Sequence, residues 1–306
     1  MMAQPSPWGD LEGRGQSRRG QGQPGQGQPA GHRQRRQASL RREAQRREIR
    51  WHNNRLAVPY PTDGPKVTFG VLWFLVIVAA VFVSPLAVAA VASAVAGLAG
   101  LQTGNAWFPQ FGPTKWWMAA AAMVTALGGA LGPIGMVASG GLGAILLLVY
   151  MMVNPVHTRS TGQLIDVLFR SALPVGIAAG SLAALRSAEL GAALLLVALI
   201  SAYEAGDFLV GSGSSNAIEG PVSGLVALAA VGFIAWILAP APFTTTGVVM
   251  FSALAGVCCP LGQILAAAVL PRGSAWAPAL RRLDSYLLAA PLWLLLLEGV
   301  AKSGTL

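Results

Sequence analysis

Long runs of apolar residues fill most of the chain after residue 66, and they recur at the length of a membrane-spanning helix. A helix needs about 20 predominantly apolar residues to cross the hydrocarbon core of a bilayer. The run 67–101 is too long for one upright helix and contains Ser84-Pro85, so we divide it into two spans near that pair. Seven further runs follow at 116–133, 134–153, 164–185, 190–203, 221–239, 248–270 and 286–300. The pattern predicts an all-α, polytopic membrane helix bundle with about nine transmembrane spans.

The first 66 residues have the opposite character, because they are rich in Gln, Gly, Pro and Arg and poor in apolar residues. Such a segment buries too little apolar surface to offset the entropy lost on ordering. We therefore expect a disordered tail and linker over 1–66, followed by a transmembrane domain over 67–306. Residues 33–55 combine dense arginine with helix-forming residues, which fits either a helix on an anionic membrane surface or a solvated arm.

The positive charge lies mostly in this tail. Residues 1–55 carry 12 arginines and 4 acidic residues, net +8, whereas residues 56–306 carry 9 basic and 8 acidic residues, net +1. A nucleic-acid-binding surface needs Lys and Arg spread over the folded face, so the near-neutral body excludes a nucleic-acid partner. The positive-inside rule places the tail in the cytoplasm, and the span count then brings the loops 204–220 and 271–284 to the same side. We expect this topology in the cell (inner) membrane.

The cysteine and tryptophan residues are interpreted as structural. Cys258 and Cys259 are the 2 cysteines of the chain, and two adjacent thiols without nearby histidines favour apolar core positions over a metal site. The aromatic belts at the membrane interfaces are predicted to include Trp107, Trp116, Trp117 and Trp293.

Ionisable residues are scarce in the apolar body, and those near membrane depth are costly, so they mark candidate functional positions. The first group lies in residues 202–224. Glu204 and Asp207 share one face if the helix continues that far, and Glu219 opens the next span. Two or three such carboxylates can hold Mg²⁺ through their oxygen atoms.

A glycine- and serine-rich loop separates these carboxylates. Its backbone N–H groups can face a phosphate, helped by a helix N-terminus. A polar turn between two membrane helices has the same composition, so both interpretations stay open. The candidate phosphate-binding residues are Gly211, Ser212, Gly213, Ser214 and Ser215.

The second group lies in residues 271–288, just ahead of the last apolar run and on the same predicted side. Arg281 and Arg282 suit phosphate through their planar guanidinium groups, and Asp284 can join a metal site. The alternative is a positively charged anchor at the lipid headgroups, with Asp284 or Ser285 capping the following helix.

The order of the two groups resembles the phosphatidate cytidylyltransferase family, the CDP-diacylglycerol synthases. Family members carry an acidic residue with Gly-Ala-Tyr, then a loop ending in Trp-Glu-Gly, and finally Asp-Arg-x-Asp-Ser ahead of the last hydrophobic stretch. Glu204-Ala205-Gly206-Asp207-Phe208 and Ile218-Glu219-Gly220 follow the first two elements here. The stretch Arg281-Arg282-Leu283-Asp284-Ser285 stands at the place of the third. The sequence departs from the family at two places. Gly262-Gln263 replaces Gly-Asp, and in the closing signature Arg281 replaces an Asp while the preceding Lys-Asp and His-Gly-Gly elements are absent from residues 270–280.

The resemblance implies a divergent membrane nucleotidyltransferase of phospholipid biosynthesis. It would make CDP-diacylglycerol from CTP and phosphatidate, or another anionic phospholipid, and release pyrophosphate. Mg²⁺ is the implied cofactor, and the assembly state, including a homodimer, is left open. The implied metal ligands are Glu204, Asp207, Glu219 and Asp284, the implied catalytic residues are Asp284, Arg282 and Ser285, and the implied nucleotide loop is 211–215.

The two departures favour an alternative in which the chain is a catalytically inactive homologue that binds anionic lipid or a partner protein. The arrangement of the acids separates the two hypotheses. The enzyme hypothesis expects Glu204, Asp207, Glu219, Arg282 and Asp284 to converge around one inward-facing cleft. The alternative expects Asp284 only to cap its helix and to pair with Arg281.

Overall fold

A computed structural model describes residues 66–107, 114–153, 162, 165–166, 170, 172–212, 218–272 and 275–303, all of which belong to one compact unit. The long elements in this part of the chain are helices, and none of its residues forms a strand. The predictions for the tail over 1–65 lie outside the described residues. The helices are α1 (Lys66–Val83), α2 (Pro85–Trp107), α3 (Thr114–Gly128), α4 (Gly132–Val153), α5 (Leu173–Ala188), α6 (Leu190–Gly211), α7 (Glu219–Leu238), α8 (Thr245–Val269), α9 (Pro278–Arg281) and α10 (Tyr286–Ser303), with a 3₁₀ turn at Gly129–Leu131.

The described helices have the composition of an integral membrane protein, as the apolar runs predict. Five segments are long and apolar enough to cross a membrane, namely Pro85–Trp107, Lys115–Tyr150, Leu190–Gly211, Glu219–Leu238 and Thr245–Val269. Three shorter apolar helices accompany them, at Gly70–Val83, Leu173–Ala188 and Tyr286–Ala301. The all-α membrane fold is therefore confirmed.

Two predicted breaks between helices are present for identifiable reasons. α1 ends at Val83 and α2 begins at Pro85, where the missing N–H of proline is tolerated in a first turn. The Ser84 hydroxyl accepts a hydrogen bond from the Ala87 N–H at 3.0 Å and so caps α2. The second break lies at Gly132, whose φ of 84° is open to glycine and strained for other residues.

The turn before Gly132 folds the segment Lys115–Tyr150 back on itself. A Cβ at Gly143 would lie 3.3 Å from the Ala121 Cα, and a Cβ at Gly140 would lie 3.2 Å from the Thr125 Cγ2. The facing position in α3 thus moves back from Thr125 to Ala121 as α4 advances from Gly140 to Gly143, so the two helices are antiparallel. Lipid tails are as apolar as the side chains, so helices in a membrane associate through close packing and not through the hydrophobic effect. Small residues at this crossing allow that close packing.

Contacts between helix ends show which ends of the helices lie together. The Trp107 indole N–H donates to the Val269 carbonyl at 2.8 Å, which places the ends of α2 and α8 together. The Ala279 N–H donates to the Gln102 side chain at 2.9 Å, which holds α9 at the same end. We call this the polar end of the bundle. At the opposite end, the Arg186 Nε–H donates to the Val81 carbonyl.

One helix end and one tryptophan differ from the sequence-based expectation. The apolar run 190–203 predicts a loop from residue 204, but α6 continues to Gly211, because Glu204 and Asp207 have polar neighbours inside the bundle. The assignment of Trp293 to an interfacial belt is wrong, because its side chain is 0% exposed. Trp116, at 61% exposure, lies on the surface as an interfacial residue would.

Candidate functional site

The candidate site is a buried group of polar side chains at the polar end, where α6, α8 and the turn before α10 meet. The backbone of Asp284 approaches α8 at Gly262 so closely that a Cβ there would lie 2.3 Å from the Asp284 carbonyl oxygen. A backbone neighbour cannot move aside as a flexible side chain can. Glycine at position 262 therefore allows the turn 282–285 to dock against α8.

Gln263, the next residue of α8, connects the helix to α6 through two hydrogen bonds. The Tyr203 hydroxyl donates to the Gln263 Oε1 at 3.1 Å, and the Gln263 Nε2 donates to the Asp207 Oδ2 at 2.8 Å. Tyr203 is 0%, Asp207 4% and Gln263 5% exposed. At a rise of about 1.5 Å per residue, these side chains attach roughly 6 to 12 Å inside the ends of α6 and α8. The chain of bonds thus runs through the interior of the bundle.

Ser285 connects the two segments that the sequence analysis singled out. Its N–H and its hydroxyl donate to the Asp284 Oδ1 at 2.7 and 3.3 Å, and Glu204 of α6 lies within hydrogen-bonding reach of the same hydroxyl. Ser285 is fully buried. The Glu204 Oε1 is shielded from solvent and has no hydrogen-bond partner among the described residues. A buried carboxylate oxygen without a donor is costly, so this atom is a candidate ligand-binding group.

Two arginines supply positive charge to this group of acids. Arg281 ends α9 close enough to Asp284 for their charges to interact, and Arg282 acts in the same way on Glu204. The Arg282 Nη1 also lies 3.7 Å from where a Cβ would stand on Gly70 of α1. The formal charge of the site is therefore set by three carboxylates and two guanidinium groups.

Burial dominates the titration of the residues outside the predicted spans. Burial raises the pKa of Asp284 to about 7, although the nearby Arg281 charge and the Ser285 N–H both act to lower it. Burial also lowers the pKa of Arg281, and the charge of Asp284 acts in the opposite direction. Desolvation penalises both charged forms, and each charge partly compensates the other.

The predicted residues are therefore partly assembled. Glu204 and Asp207 lie on one face of α6, as their spacing predicts, and that face is directed to Asp284, Ser285 and Gln263. Asp284 also bonds its own helix start and lies near Arg281, so features expected from both hypotheses are present together.

The remaining predicted residues lie at the surface, in the helix ends or outside the described part. Glu219 is exposed in the first turn of α7. Gly211 is buried at the end of α6, and Ser212 follows it in a turn, whereas Gly213, Ser214 and Ser215 lie outside the described residues. Within the part of the chain that the structure describes, no three His, Cys, Asp or Glu side chains are grouped closely enough to hold a metal ion.

Three members of the site were not predicted as functional residues. In the sequence, Tyr203 is only the last residue of an apolar run. Gly262 and Gln263 are only a departure from the pattern of the family that the sequence resembles. One signal was available, because an amide inside the apolar segment 248–270 needs a polar partner. Cys258 and Cys259 are buried and unpaired with each other, as predicted for core residues.

Comparison with models of protein families, with curated proteins and with solved structures yields no match for this chain.

Proposed function

We propose that the chain is a membrane nucleotidyltransferase similar to the phosphatidate cytidylyltransferases, making CDP-diacylglycerol from CTP and phosphatidate. One observation carries the proposal. Side chains from the segments 202–224 and 281–285, the two that carry the resemblance, are in contact through Glu204 and Ser285 inside the bundle. A structural role alone needs no buried acids, because an apolar contact of similar size is less costly inside a membrane protein.

The proposed reaction joins two polyanions. A phosphate oxygen of phosphatidate attacks the α-phosphorus of CTP, the bond between that phosphorus and the oxygen bridging to the β-phosphate breaks, and pyrophosphate leaves. Charge neutralisation supplies most of the catalysis in such a transfer. Arg282 would bind a phosphate of either substrate. Asp284 would bind the cation that accompanies the nucleotide, and Ser285 would orient Asp284 and Glu204.

The donor set fits Mg²⁺ bound jointly with a nucleotide. Mg²⁺ commonly uses one or two carboxylates together with substrate phosphates, and a protein-only cage is not required. The Glu204 Oε1 is a shielded carboxylate oxygen without a hydrogen-bond partner in the described part, and Asp284 lies close enough to act on it electrostatically. Glu204 and Asp284 would hold the ion, with Asp207 beside them, and the ion would neutralise charge on the triphosphate. Glu219 and the loop 211–215 would complete the nucleotide-binding side.

We extend the proposal to the topology. The nine described helices of 15 or more residues would each cross the cell (inner) membrane, with the polar end and the tail 1–66 in the cytoplasm. The location of Lys115, Arg272, Arg281 and Arg282 at the polar end supports this orientation. Labelling of single cysteines introduced at Arg272 and Glu189 with a membrane-impermeant thiol reagent in intact cells tests it. Glu189 alone should react from outside.

Turnover by purified protein tests the enzymatic proposal. The full chain is incubated in micelles containing phosphatidate, with CTP and Mg²⁺, and both pyrophosphate release and the CDP-linked lipid are measured. We expect formation of both products to require CTP, Mg²⁺ and phosphatidate. A wild-type rate no higher than that of a folded Asp284→Ala variant contradicts the proposal.

A second candidate function is favoured by how the acids are already bonded. The Asp207 Oδ2 accepts from Gln263, and the Asp284 Oδ1 accepts from Ser285. Protein donors thus occupy oxygens that a metal ion would otherwise use. A catalytically inactive homologue would keep this arrangement and bind anionic lipid or a partner protein through the same end.

Lipid binding separates the second candidate from the first. An inactive homologue should bind vesicles containing phosphatidate with an affinity that falls steeply with salt and with deletion of residues 1–55. That binding should not depend on nucleotide. Tight, Mg²⁺-dependent binding of CTP contradicts this candidate.

A further inference from the structure

The orientation of the Gln263 amide is determined by its two partners. A carboxylate only accepts hydrogen bonds, so the atom 2.8 Å from the Asp207 Oδ2 must be the amide nitrogen. The Tyr203 hydroxyl, 3.1 Å from the other amide atom, then donates to the amide oxygen. Both ends of Gln263 are therefore used, and rotation of the amide by 180° would set its oxygen against the Asp207 carboxylate.

This chain of bonds restrains Asp207 from a helix other than its own. Asp207 is on α6, and its carboxylate is held by α8 at a position next to Gly262, the residue on which the Asp284 turn docks. Adjacent residues of α8 thus set the positions of acids from both segments. Asp207 is close enough for its charge to act on Glu204 and Asp284.

The neutral amide also sets the charge of the site. With glutamine at 263, three carboxylates face two guanidinium groups, and the formal excess is one negative charge. A carboxylate at 263 would add a second negative charge directly against Asp207, within hydrogen-bonding distance. Like charges this close cannot both stay ionised in a buried site. The amide instead donates a hydrogen bond to the Asp207 Oδ2.

We propose that Gln263 is a positioning residue that holds the Asp207 side chain oriented for the divalent cation of a bound nucleoside triphosphate, and that Tyr203 holds Gln263. The inference rests on the proposed function, because the ligand is the cation that accompanies the nucleotide. Residues that orient a metal-binding carboxylate by hydrogen bonds typically change metal affinity by about 10- to 100-fold when they are removed.

Binding of Mn²⁺, a paramagnetic substitute for Mg²⁺, tests the inference without measuring turnover. Free Mn²⁺ is titrated by electron paramagnetic resonance against the full-length protein in detergent micelles, with and without CTP. Gln263→Leu removes both hydrogen bonds at similar volume, and Tyr203→Phe removes only the distant hydroxyl. We expect CTP-dependent Mn²⁺ affinity to fall about 10- to 100-fold in Gln263→Leu. A fall of about 3- to 10-fold is expected in Tyr203→Phe.

Ser223→Ala is the matched control for lost stability. The Ser223 hydroxyl of α7 donates to the Gly206 carbonyl of α6 at 2.8 Å, so its removal also deletes a hydrogen bond on α6. This bond is not part of the Tyr203–Gln263–Asp207 chain, and Mn²⁺ affinity should stay at the wild-type value. The midpoint of thermal unfolding is recorded for every variant.

The outcomes distinguish this inference from the proposed function. Wild-type affinity in both Gln263→Leu and Tyr203→Phe overturns the inference and leaves the proposed function standing. The inference is also overturned if Tyr203→Phe and Ser223→Ala lose equal Mn²⁺ affinity, in proportion to the fall in their unfolding midpoints. The role of Tyr203 would then be structural. If Gln263→Leu does not fold, Tyr203→Phe decides by itself. Absence of CTP-dependent Mn²⁺ binding in the wild-type protein overturns both proposals.

Discussion

The two halves of α8 make their contacts with different chemistry. In its first half, Phe251 packs against Phe243 and Trp293 with ring centroids 4.9 and 5.0 Å apart. In its second half, Gln263 bonds Tyr203 and Asp207, and Gly262 receives the backbone of Asp284. Shape complementarity between apolar rings holds the first half together. Hydrogen bonds hold the second half together, because lipid offers no other partners for its polar groups.

The difference indicates where function and stability reside. A membrane bundle gains stability from close packing along its whole length, so buried polar groups are not needed for folding. The buried acids Asp207 and Asp284 at the polar end are a cost that a binding or catalytic role explains. Substitutions in the aromatic half should therefore change stability alone, whereas substitutions in the polar half should change turnover more than stability.

The largest effect on stability is expected in the aromatic half. Trp293→Ala removes a side chain that is 0% exposed and leaves a cavity beside Phe251, which should cost about 3 to 5 kcal/mol of unfolding free energy. Trp276→Ala is the control, because Trp276 is 76% exposed. Thermal unfolding in detergent measures both. Turnover per folded molecule should be unchanged in Trp293→Ala. A loss of turnover per folded molecule would contradict the claim that the aromatic half contributes to stability alone.

The next effect belongs to the polar half and concerns turnover. Asp284→Asn keeps the shape of the side chain and removes its charge, so we expect turnover to fall about 100-fold, equivalent to roughly 2.7 kcal/mol. The unfolding midpoint should stay the same or rise, because a buried charge is removed. Asp166→Asn is the control, since Asp166 is exposed and pairs with Arg170 at 2.6 Å. Equal turnover in the two variants would contradict the assignment of Asp284.

A glycine pair on α8 tests the close approach of the Asp284 turn. Gly262→Ala places a Cβ 2.3 Å from the Asp284 carbonyl oxygen and should cost about 1 to 3 kcal/mol of stability. Turnover should fall as well, because the turn carries Asp284. In Gly256→Ala the new Cβ meets the Leu225 Cδ2 at 3.7 Å, an ordinary contact, so both properties should be nearly unchanged. Similar behaviour of the two variants would mean that the close approach at Gly262 does not constrain the turn.

The smallest effect compares one hydrogen bond at each end. Gln102→Leu leaves the Ala279 N–H of α9 without its acceptor, and Ser187→Ala removes a bond to the Ala130 carbonyl at the opposite end. Each should cost about 1 kcal/mol of stability. Only Gln102→Leu should reduce turnover, by a few fold, because α9 carries Arg281. A reduction of the same size in Ser187→Ala would show that turnover follows stability in general.

Much of the fold could be predicted because long apolar runs determine where membrane helices form. The break at Ser84-Pro85 and the fold-back before Gly132 are local signals, since proline and glycine act on their own backbone. The end of α6 could not be predicted in the same way. Glu204 and Asp207 read as loop residues, and they are accommodated in a helix by Ser285 and Gln263, whose proximity depends on tertiary structure.

The candidate site was predictable only as far as single residues carry charge. Glu204, Asp207, Arg282 and Asp284 are conspicuous in an apolar sequence, and the structure brings them to one end of the bundle. Gln263 and Tyr203 carry no charge, so their participation depends on hydrogen bonds between α6 and α8. Trp293 was misassigned although it lies in the middle of the predicted span 286–300, a position that favours a core residue over an interfacial one.

The central claim is that the polar end is a nucleotidyl-transfer site. The most direct measurement is the rate of pyrophosphate release by wild-type protein, Asp284→Asn and Trp293→Phe in the same phosphatidate micelles with CTP and Mg²⁺. We expect phosphatidate-dependent release by the wild-type protein and by Trp293→Phe at similar rates per folded molecule, and about 100-fold slower release by Asp284→Asn. Equal rates in all three proteins, or no release above a protein-free control, would contradict it.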